Sequence, residues 1–366
     1  MLARVPDPHW QEVMWRCERW LSSRRPVSAA QSLREAADAL DEDIRPDLYG
    51  EGPVVEEFES RLAALLGAPA VALFPSGTMA QQIALRIHCE QRCTRSVAWH
   101  PTCHLELHEH AGYAHLHGLK PELIGDRDRL IELEDLTRLK RPLGAVLLEL
   151  PQREIGGQLP EWQDLVAQVN YVKDQGAAVH LDGARIWEAA PYYDRPHSEI
   201  AGLFDSSYVS LYKGLLGLSG SVLAGSEDLI DQARVWRRRH GGTLARLFPF
   251  VAAALPGLEN LVARMPTFLE HARLIAAALH EVPGVEVIPN RPQTPLFHIH
   301  IRGDRELLWQ RALEIAAGQG VWLFGPPKPA LLPGTSRIEV NIGEPALEIT
   351  AAEIAELFTQ LTVPAA

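Results

Sequence analysis

The sequence predicts an α/β protein: a large domain with a mostly parallel sheet of the seven-stranded type between helices, then a small C-terminal α+β domain. Three observations predict it. From about residue 70 to 225, short and nearly continuous apolar runs alternate with helical segments, as strands buried on both faces of a parallel sheet do. Single ionisable residues fall just after those runs, where ligands sit outside the carboxyl ends of such strands. Beyond residue 280 the pattern changes to paired strands with a closing helix. The expected organisation is residues 1–52 as an N-terminal helix and arm, 53–265 as the large domain and 266–366 as the small one.

Trp10, Val13, Met14, Cys17 and Trp20 recur at helical spacing, so an amphipathic helix opens the chain; its stripe suits core packing first and a subunit contact second. Residues 23–52 mix Arg, Pro and Asp and end in the turn Tyr49-Gly50-Glu51-Gly52-Pro53, which reads as an irregular arm. A helix follows, with Val55, Phe58, Leu62 and Leu65 on one face and Gly67 as its stop. Strands are expected at Ala70–Phe74, Ala145–Leu150, Ala177–Leu181, Tyr208–Leu211 and Ser221–Ala224. An Arg-rich stretch from Gln232 to Arg246 and one long apolar helix around 247–280 lead into the small domain. There, strands at Val285–Ile288, Leu296–Ile301, Val321–Phe324 and Arg337–Ile342 precede a helix opened by a Thr350-x-x-Glu353 capping box.

At 366 residues and 46% hydrophobic, the chain has ample core. A net charge of −12 argues against a nucleic-acid partner, and no run of basic residues reverses that. No apolar stretch approaches the roughly 18 residues of a membrane span, and the N-terminus lacks a signal peptide's apolar core. The four cysteines do not form a disulfide framework, so a reducing cytoplasm is the expected location. Cys89 and Cys93, four apart, suit one buried helix face.

Two strand ends carry the chemistry. Ala-Val-His-Leu-Asp-Gly-Ala-Arg reaches Asp182 and Arg185; Tyr-Val-Ser-Leu-Tyr-Lys-Gly reaches Lys213. A carboxylate and an amine at one sheet edge are what pyridoxal 5′-phosphate requires: the lysine forms a Schiff base, and the acid keeps the pyridine nitrogen protonated. Ser76-Gly77-Thr78, between a strand and a helix, offers backbone N–H groups and two hydroxyls to a phosphate. Arg185 can hold a carboxylate with two parallel hydrogen bonds. Each has a plainer reading alone: a surface lysine, a helix N-cap, a turn, a structural ion pair. Their order along the chain favours the cofactor.

His100, His104 and His108 form the densest imidazole cluster. Their spacing of four would align them on a helix, either for a transition metal or with one ring on the cofactor and others as acid–base groups. With no Cys-x-x-Cys and no His-Glu-x-x-His, no metal is assigned.

In this order the residues resemble the L-threonine aldolase family of fold-type I pyridoxal-phosphate enzymes, the β-eliminating lyases. The matching segments are Leu48 to Val54, Phe74 to Ala80, His104 with Glu109, Glu149 with Gly156-Gly157, His180 to Arg185, Lys213-Gly214 and Gly220-Ser221. The resemblance spans about residues 30 to 345. It implies that Ser76, Gly77 and Thr78 cradle the phosphate, that His104 stacks on the ring, and that Asp182 partners the pyridinium. It further implies Arg185 and Arg337 as the grip on the substrate carboxylate, and Tyr49 in an arm reaching a neighbouring subunit's site. A homodimer or homotetramer with sites at the subunit interface follows from it. The chain departs from the family at Leu150-Pro151 (usually Asn-Thr), Tyr212 (usually Ser), His108 (usually Tyr) and a blurred N-terminal Arg-Ser-Asp signature.

The expected reaction is retro-aldol cleavage of a β-hydroxy-α-amino acid to glycine and an aldehyde, with His104 or His108 taking the β-hydroxyl proton. The alternatives are β-elimination or transamination of another amino acid on the same cofactor, an amino-acid sensor without turnover, and a histidine metalloenzyme.

Overall fold

The computed structural model describes residues 9–139 and 142–362; the outermost parts of the expected arm and small domain, 1–8 and 363–366, lie outside the described residues. The chain forms two compact units. One comprises Ala29–Ile155 and Leu159–Ala263, the other the N-terminal segment to Ser28, Gly156–Gln158 and Arg264 onward. The expected arm 1–52 is thus divided at Ser28 between them. It is also less irregular than expected: Ala29–Asp38 is a helix, packed against the helix Phe248–Asn260. Its buried residues, Ser32 and Ala36, are small and lie one turn apart, so no large apolar stripe announces it in the sequence.

The large unit is built on β1 (Ala70–Phe74), β2 (Ser96–Trp99), β3 (Lys120–Leu123), β4 (Ala145–Glu149), β5 (Ala178–Asp182), β6 (Ser206–Ser210) and β7 (Ser221–Gly225). They form one seven-stranded sheet in the order β1-β7-β6-β5-β4-β2-β3. β7 runs antiparallel to both its neighbours, and the other pairings are parallel. The carboxyl ends of β1, β2, β4, β5 and β6 therefore share one edge. On one side of the sheet, Ile83, Ala84 and Ile87 of the helix Gly77–Gln91 pack with Ala72, Phe74 and Leu223. Two strands escaped the sequence reading: β2 is short, and β3 (Lys-Pro-Glu-Leu) is a solvent-exposed edge with no apolar run.

Two further expectations are corrected. Cys89 is buried, but the helix stops at Gln91 and Cys93 is exposed beyond it with φ +51°, so they share no buried face. The single helix expected around 247–280 is two, Phe248–Asn260 and Met265–Leu279, joined by a turn at Val262–Arg264. Pro266 stands in the first turn of the second helix, where its missing N–H costs nothing.

In the small unit, β8 (Val285–Ile288), β9 (Leu296–Arg302), β10 (Lys328–Pro329) and β11 (Thr335–Asn341) form an antiparallel sheet ordered β10-β11-β9-β8. The N-terminal helix is His9–Arg16, and Trp20 lies instead in a two-residue strand paired with Val321–Trp322. Trp10 stacks on Trp322 at 5.8 Å and meets Trp309 edge-on at 6.4 Å, so the aromatic stripe is core of this unit. Thr350 Oγ1 accepts the Glu353 N–H at 3.2 Å, one half of the expected capping box; the Glu353 carboxylate pairs with Arg19 at 2.7 Å instead.

Candidate active site

Three adjacent strands carry one row of ionisable side chains near this edge. Glu149 of β4 is the register partner of Asp182 of β5, and Asp182 that of Tyr208 of β6. Asp182 is 2% exposed; its Oδ1 accepts the Ala184 N–H at 3.1 Å, and Gln81 donates to it from the neighbouring helix. Burial pushes its carboxyl above the usual range, and the nearby His104 pulls it back. Glu149 keeps some exposure but lies deep among protein atoms, accepting from the Arg153 N–H at 3.1 Å and from Gln152 at 3.2 Å. Desolvation, then the Asp182 charge, raises it to about 8. Both carboxyls are thus pushed up, and the Ala184 amide, Gln81 and His104 favour the charged form of Asp182. Burial also lifts Tyr208 far above the phenol range, so it stays neutral.

At the end of β1, Ser76 caps the helix Gly77–Gln91, its Oγ accepting the Met79 N–H at 3.3 Å. Thr78 is exposed on that first turn. Gly77 has no room for a side chain: a Cβ there would lie 2.2 Å from the Tyr208 hydroxyl. The helix N-terminus therefore approaches the sheet edge closely, with its amides and hydroxyls on one turn.

The histidines do not align as three. His100 lies before the helix His104–His108, 2% exposed and tied to Thr102 Oγ1 at 2.8 Å and the Arg129 carbonyl at 2.9 Å; burial lowers its pKa. His104 and His108 open and close that helix with ring centroids 5.1 Å apart. His104 Nδ1 meets Glu109 at 3.2 Å, and Gln82 donates to the other Glu109 oxygen at 2.7 Å. His108 Nε2 meets Glu154 at 3.1 Å. Among the described residues, no group of three or more His, Cys, Asp or Glu is arranged to hold a metal ion.

Lys213 follows β6 at the same edge, half-buried, its Nζ 5.0 Å from the Tyr212 ring centroid. Arg185 follows β5, and its Nε lies 3.7 Å from Glu188 Oε1. Tyr49 is exposed on its turn, and its N–H donates to the Ala245 carbonyl at 3.2 Å. Arg337 lies in the other unit, on β11, opposite His300 and Lys328, and this strand position assigns it no ligand.

The structure gives a place in the site to Glu149, which the sequence matched without a role, and adds Tyr208, Gln81, Gln82, Glu154 and Glu188. Glu149 obeys the rule that found Asp182, an acid ending an apolar run. The others lie inside helices, turns or a strand, and only the fold shows where they point.

Pyridoxal phosphate fits these groups. The edge offers a buried carboxylate, a half-buried lysine, an imidazole beside that carboxylate, and a metal-free dianion site at the Ser76–Thr78 turn. Arg185 Nε is buried and makes no hydrogen bond; it faces the Glu188 carboxylate at 3.7 Å.

Comparison with known proteins agrees. Residues 28–302 match the family model described as beta-eliminating lyase. The low specificity L-threonine aldolase of Escherichia coli K12 is 31% identical over 283 residues, covering 76% of this chain and 82% of that protein. A solved structure from an Exiguobacterium species, provisionally named an aromatic amino acid beta-eliminating lyase/threonine aldolase, superposes with TM-score 0.91. It is 36% identical and covers 96% of this chain and 99% of its own. One from Listeria monocytogenes, provisionally named an L-allo-threonine aldolase, has the same TM-score and identity and covers 96% and 98%. The chain belongs to the beta-eliminating lyase family and has the fold-type I architecture of pyridoxal-phosphate enzymes.

Proposed function

We propose that this chain is a pyridoxal-phosphate-dependent lyase that cleaves a threonine-like β-hydroxy-α-amino acid between Cα and Cβ, giving glycine and an aldehyde. One observation carries the reading: Asp182, Lys213, the Ser76–Thr78 turn and the His104/His108 pair converge on one sheet edge of a beta-eliminating lyase. The relatives named threonine aldolase and L-allo-threonine aldolase support the substrate class.

When bound, the cofactor supplies an electron-poor ring that accepts the electron pair left on Cα as the bond breaks. Ser76, Gly77 and Thr78 would hold its phosphate, and Asp182 would keep its pyridine nitrogen protonated. His104, beside Asp182 and held through Glu109 and Gln82, would flank the ring. Lys213 would be the residue that anchors the cofactor, and its free amine would be able to move the Cα proton. Arg185 grips the substrate carboxylate, which orients the bond to be broken. His108, one helical turn from His104, takes the β-hydroxyl proton on Nδ1, because Glu154 engages its Nε2.

The working unit is a homo-oligomer. The exposed Leu48 and Tyr49, side by side on an anchored turn, support a neighbouring copy there. Four free thiols, with Cys93 exposed, suit a reducing cytoplasm. No helix among the described residues is long and apolar enough to cross a membrane.

The test is the Lys213→Ala protein beside wild type, given threonine or phenylserine. Wild type releases glycine and aldehyde and shows a visible absorbance that Lys213→Ala lacks. Ammonia and a keto acid in place of those products would replace this reading with elimination.

A further inference from the structure

We infer that Glu188 is a positioning residue for Arg185: it holds the guanidinium by its Nε edge and leaves the Nη edge for an incoming carboxylate. The inference rests on the reading of Arg185 as the carboxylate grip. After β5 the chain turns at Gly183 into the helix Ile186–Tyr193, with Arg185 as its N-cap and Glu188 in its first turn. Three residues apart on that turn, the two side chains lie on one face. Nε is 3.7 Å from Glu188 Oε1, and the side chains are 11% and 2% exposed. That distance is an ion pair without a hydrogen bond, and Nε makes none to any other group.

The consequence is geometric. A guanidinium binds a carboxylate through two parallel N–H donors, using either its Nε–Nη edge or its Nη–Nη edge. A buried acid on the Nε side closes the first edge and is little screened there. It also fixes the planar fork before the substrate arrives, so binding does not have to order it. Glu188 touches neither substrate nor cofactor in this account and acts through Arg185.

The experiment compares glycine with methylamine, the same amine without a carboxylate, on the cofactor-loaded enzyme. Binding is followed by the visible spectrum, with thermal melts alongside. Glu188→Ala raises the glycine Kd by about tenfold or more while the methylamine Kd stays within about twofold. Glu188→Gln, which keeps the oxygen and the volume, shows a smaller loss of the same kind and serves if the alanine variant does not fold. Arg185→Ala, as reference, loses glycine selectively. Unchanged or tighter glycine binding in Glu188→Ala, or equal weakening of both amines, overturns the inference. If Arg185→Ala leaves glycine binding intact, the Arg185 reading falls instead. Neither result depends on aldehyde being released, so failure of the aldolase reading is seen separately.

Discussion

Glu149 and Asp182 face each other as register partners at the carboxyl ends of two neighbouring parallel strands, where burial and the Asp182 charge push the Glu149 carboxyl up. Two carboxylates so close in a desolvated site cannot both ionise cheaply. Asp182 has the Ala184 amide, Gln81 and the nearby His104 on its side, which favour its charged form over that of Glu149.

This arrangement sets a pH dependence. Glu149 in the fold titrates near 8, above its value in the unfolded chain. Between those two values the folded protein binds the extra proton, so stability falls as pH rises and levels off above about 8. Glu149→Gln removes the titration. The variant gains thermal stability over wild type in the cofactor-free protein, and the gain grows from pH 5 to pH 8.5. Melting curves across that range check it; a constant difference between the two proteins refutes it.

Gly77 is a second point where the fold leaves no freedom. A Cβ at 2.2 Å from the Tyr208 hydroxyl and 2.6 Å from its ring carbon forces the helix N-terminus away from the sheet edge. Gly77→Ala costs about 1–3 kcal/mol by overpacking and weakens cofactor binding by moving the phosphate turn. Tyr208→Ala in the same chain recovers part of both losses, which a double-mutant cycle on melting temperature and cofactor affinity measures. Additive effects would show that the contact is not the cause.

The proton step tests His108. His108→Asn lowers kcat by about a hundred- to ten-thousandfold, the usual loss for a general base, while the glycine Kd is kept. Glu154→Gln gives a smaller drop of the same kind, because it loosens the Glu154 contact at 3.1 Å without removing the base. If His104→Asn alone shows this pattern and His108→Asn does not, the roles are exchanged.

Much of this site could be read from the sequence because strand ends advertise themselves. Asp182 and Lys213 each follow an apolar run and precede a glycine, and a parallel sheet brings such ends to one edge. The histidines were harder. Spacing of four treats His100, His104 and His108 alike, yet the helix starts at His104 and His100 turns away into a buried bond with Thr102. Strand β3 was invisible because an exposed edge needs no apolar residues, and the helix Ala29–Asp38 because small residues pack without a stripe. Supports such as Gln82, Glu154 and Glu188 follow no periodic rule; the backbone path alone brings them to the groups they hold.

Asp47 shows how the exposed turn beside it stays in place. Its carboxylate is fully buried and accepts three backbone N–H groups: Gly50 at 2.9 Å, Leu247 at 3.0 Å and Phe248 at 2.9 Å. Those bonds hold Tyr49 and Gly50 at φ +56° and +86°, a left-handed conformation that Tyr49 would not keep unaided. Asp47→Ala leaves three amides unpaired, at about 1–3 kcal/mol each, so a loss of about 3 kcal/mol or more is expected in denaturant melts. Asp47→Asn keeps an acceptor oxygen and loses less. Hydrogen exchange locates the effect: protection falls at Gly50, Leu247 and Phe248 before it falls in β5. If a neighbouring copy covers Leu48 and Tyr49, Asp47→Ala also makes the oligomer dissociate on dilution at concentrations where wild type stays assembled. Sedimentation across that range separates the two effects, because a purely internal role predicts a less stable chain in an unchanged assembly.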